Sequence, residues 1–417
     1  MHEKLSNLFS SHKKKIKLSL KGNAGHNNLF ASSVFDSIAL VPEKNWDEIA
    51  KGNDLYFQRD YLKAIEDTHN TQMRFKYLIL YKEKQAVAIA YMQLLNFNLG
   101  NLKIFTPTKC HFMGMFSMGG CVEKKPSLFK SAACGNMFIS GGNGYCIKQG
   151  ENRQEVFQQL LKAIPQAIKT DEWEDSNVLT LIKDLPPLFY DEKYIVKPFQ
   201  QLAMEPIMQL YIRENWFSFE DYLNDLTTKY RTKAKSAYKK SESLKCVDLN
   251  ESDIRKYIKE LSALYETVEQ KAEFRFAALN LQSFIQLKKL YKKQFVVQAY
   301  FLENKLVGFL SAFHNNDTLD ANYVGIDYDL NHQYAIYPRM LYDYIQLAIE
   351  RRVKILSYGR TASEIKSTVG AVPVEANCFI NYGGLLTSRL VKNFVEGVEL
   401  PQWEQRIPFK KTVLEAA

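Results

Sequence analysis

The residues best suited to chemistry cluster in the stretch from Asn322 to Pro373. Just past Gly359 come Arg360, Glu364 and Lys366. Arginine offers a planar fork and lysine a point charge, so the two together form a reasonable site for a carboxylate or phosphate. The competing reading is a salt bridge to Glu364 or Glu350, or a solvated turn. Three groups able to take a proton sit at neighbouring element ends: Asp327, His332 and Tyr358. Of these, His332 has the most suitable ordinary pKa, since imidazole titrates near neutrality, yet a lone histidine in a polar turn is more often a surface residue. Tyr323 and Tyr358 either line a channel or pack. Upstream, Arg231, Lys235 and Lys239 recur at helical spacing, with Lys233 and Lys240 beside them and Tyr230 and Tyr238 interleaved. Such a stripe suits phosphates, or is a solvated helix face.

The elements that must position these groups follow from periodicity. Leu319 to Ile326 is aromatic and β-branched and reads as a strand. Met340 to Ile349 places Leu341, Tyr344, Ile345, Ala348 and Ile349 at helical spacing, and Val353 to Tyr358 returns to strand character. A helix crossing between two sheet strands needs roughly this many residues, and if the strands are parallel the crossover should be right-handed. Ligands of such sheets sit at the strands' carboxyl ends. Tyr323–Asp327 and Tyr358–Lys366 therefore fall beside one candidate site.

The strand ending in Gly-Ile-Asp, the helix LYDYIQLAIERRVK, the strand ending in YGRT and the following EIKSTVGA resemble the carboxyl-terminal half of the GNAT superfamily of N-acetyltransferases. More narrowly, they resemble its double-domain branch of Fem-like aminoacyl-tRNA-dependent peptidoglycan ligases and predicted N-acyltransferases. The basic helix KYRTKAKSAYKKSE, Lys229 to Glu242, matches the Arg-rich helix that opens the second domain in that branch. The resemblance covers about residues 215 to 385. It implies an α/β (α+β) fold of two tandem GNAT-like acyl-CoA N-acyltransferase domains, with mixed central sheets and flanking helices. It also implies transfer of an acyl or aminoacyl group to an amine, with acyl-CoA or aminoacyl-tRNA as co-substrate and no bound cofactor or metal. Arg360 and Lys366 match basic positions used near the donor. Acyl transfer needs a positioned carbonyl, a proton acceptor and oxyanion donors.

One departure from the superfamily pattern bears on the donor. The segment Asn331–Arg339, NHQYAIYPR, lacks the Arg/Gln-x-x-Gly-x-Gly/Ala turn that wraps a pyrophosphate at a helix start. Without glycine, backbone cannot approach phosphate as closely, and Pro338 reads as a first-turn proline. Ordinary acetyl-CoA binding is therefore in doubt, and the Fem-like branch commonly lacks this loop.

Length supports two domains. A chain of 417 residues, 46% hydrophobic and 13% aromatic, exceeds what one core usually organises and is ample for two. FKYLILYKEKQAVAIA from Phe75 and FVVQAYFLENKLVGFL from Phe295 align without gaps, pairing Glu83 with Glu303 and Val87 with Val307; each reads as a hairpin after an amphipathic helix. The organisation expected is a flexible basic segment 1–28, a first GNAT-like domain 29–200 and a second, site-bearing domain 201–417, with a proline-punctuated linker around Leu185–Pro206.

A net charge of +9 attracts polyanions mildly, transfer RNA among them, or is ordinary solubility charge. No apolar run is long enough to span a membrane and none follows Lys13, Lys14, Lys15 and Lys17, so the cytoplasm is the expected compartment. Six cysteines in a chain of this size predict reduced thiols. Cys110, Cys121, Cys134 and Cys146 lack the close pairing of a zinc site. The glycine-rich ISGGNG is not set between a strand and a helix as a phosphate loop would be. The acceptor is expected to be a small-molecule or precursor amine. The rival from another class is a noncatalytic relative that binds RNA or an anionic glycan.

Overall fold

The computed structural model describes residues 16–18, 29–98, 128–142, 144–169, 178–185, 199–271, 277–382 and 400–410. The first half contributes strands β1 (Ile16–Leu18), β2 (Phe30–Phe35), β3 (Arg74–Lys82), β4 (Gln85–Asn98), β5 (Leu128–Cys134), β6 (Tyr145–Ile147) and β7 (Leu179–Leu185), with helices α1 (Glu43–Ala50), α2 (Arg59–His69) and α3 (Arg153–Ile168). The chain continues through β8 (Gln200–Leu202), β9 (Ile207–Tyr211), α4 (Phe219–Asp225), α5 (Thr228–Lys240), β10 (Leu244–Asp248), α6 (Glu251–Lys271) and α7 (Ser283–Tyr291). It closes with β11 (Phe295–Leu302), β12 (Lys305–Asn315), β13 (Thr318–Ile326), α8 (Tyr328–Tyr334), α9 (Ile336–Glu350), β14 (Ile355–Gly359), α10 (Ser363–Ser367), β15 (Val372–Val374) and β16 (Asn377–Tyr382). Of the segments singled out in the sequence, residues 1–15, 19–28, 99–127 (with Cys110 and Cys121) and 186–198 of the linker lie outside the described residues.

Two sheets result, ordered β1-β2-β3-β4-β5-β7-β16-β8, with β6 beside β4, and β10-β11-β12-β13-β14-β9-β15. Both aligned segments form antiparallel hairpins, β3 with β4 and β11 with β12. Their irregularities coincide as well: the ladder slips between Leu80 and Tyr81 in one and between Tyr300 and Phe301 in the other, positions the ungapped alignment pairs. The turns also match, with positive φ at Glu83 and at Glu303. A generic hairpin has no reason to place its bulge at the same register.

The last strand of the second half lies in the first half's sheet. β9 runs antiparallel between β14 and β15, while β16 runs antiparallel between β7 and β8. The boundary at 200/201 thus divides the sequence without dividing the sheets. Between the sheets, Trp46, Tyr56, Phe57 and Tyr61 of the first half share one buried cluster with Phe284, Phe295, Phe309 and Phe313 of the second. Each such side chain stabilises by about 1.5–3 kcal/mol on full burial, so the seam is core rather than a wet contact.

α9 crosses between β13 and β14, which pair in parallel. Its apolar positions Met340, Leu341, Ile345, Ala348 and Ile349 are buried against the second sheet. No helix among the described residues is long and apolar enough to cross a membrane.

Candidate active site

β13 and β14 are bonded only from Thr318–Asp320 to Ile355–Ser357, after which they part. The parting begins at Gly359, whose φ of 70° suits glycine and whose missing side chain leaves room for Ser140 of the first half, 3.2 Å from where a Cβ would stand. β13 meanwhile stays with β12 as far as Ile326. The wedge between them holds a cavity of about 90 Å³, lined by Asp320, Ala321 and Asn322 of β13, Ser357–Gly359 of β14, Arg360 just past it and Phe138–Ser140 of the first half. It has room for a small polar group or a few waters.

Asp320, the last paired residue of β13, is the acidic group in that lining. Its Oδ2 accepts from Tyr56 Oη at 2.8 Å and from Asn315 Nδ2 at 3.2 Å. The same Asn315 amide donates to Asp54 Oδ1 at 3.1 Å and accepts from Leu55 N at 3.1 Å, so the first half supplies most of this network. Burial pushes the Asp320 carboxyl up to about 6, against the pull of the Tyr56 and Asn315 donors and with a small push from Asp54. Perturbed carboxyls in clefts mark functional sites. Reading the charges past Gly359 passed this residue over. Its signal was an acid inside the otherwise apolar and aromatic strand TLDANYVGI.

The residues expected to do chemistry are distributed differently. Tyr358 is buried and its hydroxyl donates to Leu341 O at 2.7 Å. Burial, reinforced by neighbouring tyrosines, raises its pKa far above the ordinary value and keeps the hydroxyl protonated. Tyr323 donates to Phe138 O and packs edge-on against Tyr265 at 5.5 Å, so it packs and braces the seam. Asp327 caps α8 through Leu330 N and accepts from Lys305 Nζ at 2.8 Å. His332 is exposed on α8. Both lie beyond the end of β13 and outside the cavity lining.

Arg360 and Lys366 come together, but on protein groups. The Arg360 guanidinium donates to Glu205 O and Ala376 O, each at 2.8 Å, and pairs with Asp184 Oδ1 at 2.7 Å. Burial opposes the Asp184 carboxylate, yet Lys183 and Arg360 overcome that cost and hold it below its ordinary value. The salt bridge to Glu364 offered by the competing reading is not formed, because Glu364 pairs with Arg406. Lys366 Nζ donates to Tyr358 O at 2.8 Å and Arg360 O at 2.7 Å, and burial pushes its amine down to about 7. Both cations thus hold the turn after β14 through groups of the protein itself. On α5, Lys235 and Lys239 are exposed, whereas Arg231 is half-buried and donates to Leu226 O at 3.0 Å. The stripe is therefore narrower than its spacing predicts.

The first half has the matching divergence, since β5 and β7 pair in parallel from Ser131 to Cys134 against Leu179 to Ile182. That wedge is filled by Lys183, whose Nζ donates to Ile139 O at 2.5 Å, and by Asp184, which accepts from Gly141 N at 2.8 Å. The glycine-rich turn thus serves a carboxylate of its own chain. At the start of α9, Tyr337 N is taken by Asn331 Oδ1 at 2.8 Å and Pro338 has no N–H to offer. Two of the amides that would hold a pyrophosphate at this helix start are therefore missing.

Residues 139–411 match the FemAB-like family, described as peptidoglycan biosynthesis/recognition. The chain belongs to the FemAB-like family. Its fold superposes on the crystal structure of FemX with a TM-score of 0.52 at 11% identity, covering 84% of this chain and 98% of that one. Looser likenesses include a tandem GNAT protein from the clavulanic acid biosynthesis pathway (8% identity, TM-score 0.40, covering 78% of this chain and 88% of that one). Another is a GCN5-related N-acetyltransferase from Kribbella flavida (9%, 0.40, covering 84% and 72%). No curated protein matches the sequence. Two tandem GNAT-like domains, as the sequence resemblance implies, are the architecture of this FemAB-like chain.

Proposed function

We propose that this FemAB-like protein moves an aminoacyl group from an aminoacyl-tRNA ester onto the amine of a peptidoglycan precursor, at the wedge between β13 and β14. The observation that carries the reading is the wedge itself: a parallel pair that parts after Asp320 and Ser357 and leaves a cavity lined by a buried carboxyl. Such a slot admits an extended acyl group from one side and a nitrogen from the other, which is the positioning that amide formation requires. The start of α9 favours an ester of tRNA over a CoA thioester, because Asn331 and Pro338 leave that helix without the amide cradle a pyrophosphate needs. The exposed lysines of α5, Lys235 and Lys239, then serve phosphates of the RNA or of the precursor.

The test is incubation of the protein and a muramyl-peptide amine with a full set of aminoacyl-tRNAs and, separately, with acyl-CoAs, following donor loss and product mass. At least one aminoacyl ester is expected to be consumed with formation of the matching amide, while the thioesters stay intact. Consumption of a thioester alone would reverse the choice of donor, and an inert protein with intact donors throughout would favour the RNA- or glycan-binding alternative.

A further inference from the structure

Asp320 has an arrangement that stability does not require. A strand residue packed among Tyr56, Tyr61 and Phe313 would hold the seam as well or better as a neutral side chain, because a buried carboxylate costs free energy unless a cation pairs with it. No cation pairs with Asp320 among the described residues: its two donors are a hydroxyl and an amide, both on Oδ2. The charged and titratable groups around it are Tyr56 and Asp54 ahead of α2, Tyr61 on α2, Tyr358 on β14 and Arg360 just past that strand. Tyr358 is committed to Leu341 O, and Arg360 to Asp184 and two carbonyls. The carboxyl therefore borders the cavity held on one oxygen and unmatched in charge.

We propose that Asp320 accepts the proton of the attacking ammonium in the wedge, with Tyr56 and Asn315 as the residues that position it. This rests on the transferase reading above and names the acid–base group of that site. In the step, R–NH3+ passes one proton to the Asp320 carboxylate and becomes a free amine. The nitrogen then bonds to the ester carbonyl carbon, the carbonyl C–O bond breaks, and the second proton leaves nitrogen for the departing ribose oxygen. Asp320 returns its proton to solvent before the next turnover. A carboxyl that titrates near 6 is a stronger base than an ordinary aspartate and is still ionised at neutral pH. It also fits an α-amino group, near 8, better than an ε-amino group, near 10.4, since the uphill transfer is then about 2 units rather than about 4.

The experiment compares the parent, Asp320→Asn and Tyr56→Phe, using the aminoacyl-tRNA that the parent consumes fastest. In the parent, kcat/KM is expected to rise with pH through a limb near 6. Asp320→Asn keeps an oxygen for Tyr56 and Asn315, so it is expected to fold, to lose the limb and to fall about 10²- to 10⁴-fold in rate. It should also melt higher than the parent at pH 8 and level with it at pH 4, because a carboxyl raised by folding destabilises only where it is ionised. Tyr56→Phe removes a donor that favours the ionised form and should move the limb to higher pH. A working parent whose limb and rate survive Asp320→Asn overturns this assignment alone. So does a Tyr56→Phe enzyme with an unmoved limb, should the asparagine variant fail to fold. A parent that consumes no aminoacyl ester overturns the transferase reading and this with it.

Discussion

Arg360 shows how little a residue's type and neighbours in sequence say about its partner. Its position past a strand end fits an anion ligand, yet its guanidinium faces Asp184, which the chain brings to it from the other half. Both side chains are buried, 10% and 0% exposed. Removing one member of a buried pair typically costs about 3–5 kcal/mol, because the survivor stays charged and desolvated. Lys183 also faces Asp184, so the lower end applies to Arg360→Ala. Chemical denaturation of Arg360→Ala should thus show a loss of about 3 kcal/mol, and pairing it with Asp184→Leu should recover part of that loss. An Arg360→Ala protein of parental stability that has lost donor binding would restore the donor-ligand role instead. For Lys366 the same blindness applied, since its partners are backbone carbonyls and carry no sequence signature.

At the scale of elements, long periodic segments were legible and short ones were not. The two hairpins, the helix α9 and the strands on either side of it all follow from period and turn chemistry, whereas the coincident bulges at Leu80/Tyr81 and Tyr300/Phe301 appear only in the paired strands. β8, β9, β15 and β16 are brief, and nothing local tells β9 to pair with β14 rather than β7. Pairing choice is a tertiary matter wherever several edges are open to a strand. β16 couples the halves, because it is bonded on both sides within the first sheet although it follows every strand of the second sheet in the chain. Ile380, opposite Leu181 on one side and Gln200 on the other, has no solvent-facing edge to spare for a proline. Ile380→Pro is therefore expected to lower hydrogen-exchange protection in β11–β13 as well as in β7. Parental protection of β11–β13, with loss confined to the first sheet, would mean the halves are energetically separate.

Taken as a whole molecule, the chain joins two copies of one architecture whose strand wedges meet where Arg360 pairs with Asp184. The first wedge is closed by Lys183 and Asp184, and the second is left with a cavity. The duplication explains why the site is built from both halves: Tyr56, Asp54 and Phe138–Ser140 come from one, Asp320, Asn315 and Ser357 from the other. The family membership and the wedge were both readable from the run Asn322–Pro373. The carboxyl in the wedge was not, because its significance depends on burial against residues that lie far away in the chain. Photolabelling tests the location of the site most directly. The reagent is a non-hydrolysable aminoacyl-adenosine amide that carries a diazirine on its aminoacyl group, and the labelled peptides are read by mass spectrometry. Label on residues 320–323 and 357–360, suppressed by excess aminoacyl-tRNA, is the expected result. Label confined to the lysine face of α5, or to the closed wedge at 181–185, would contradict the account.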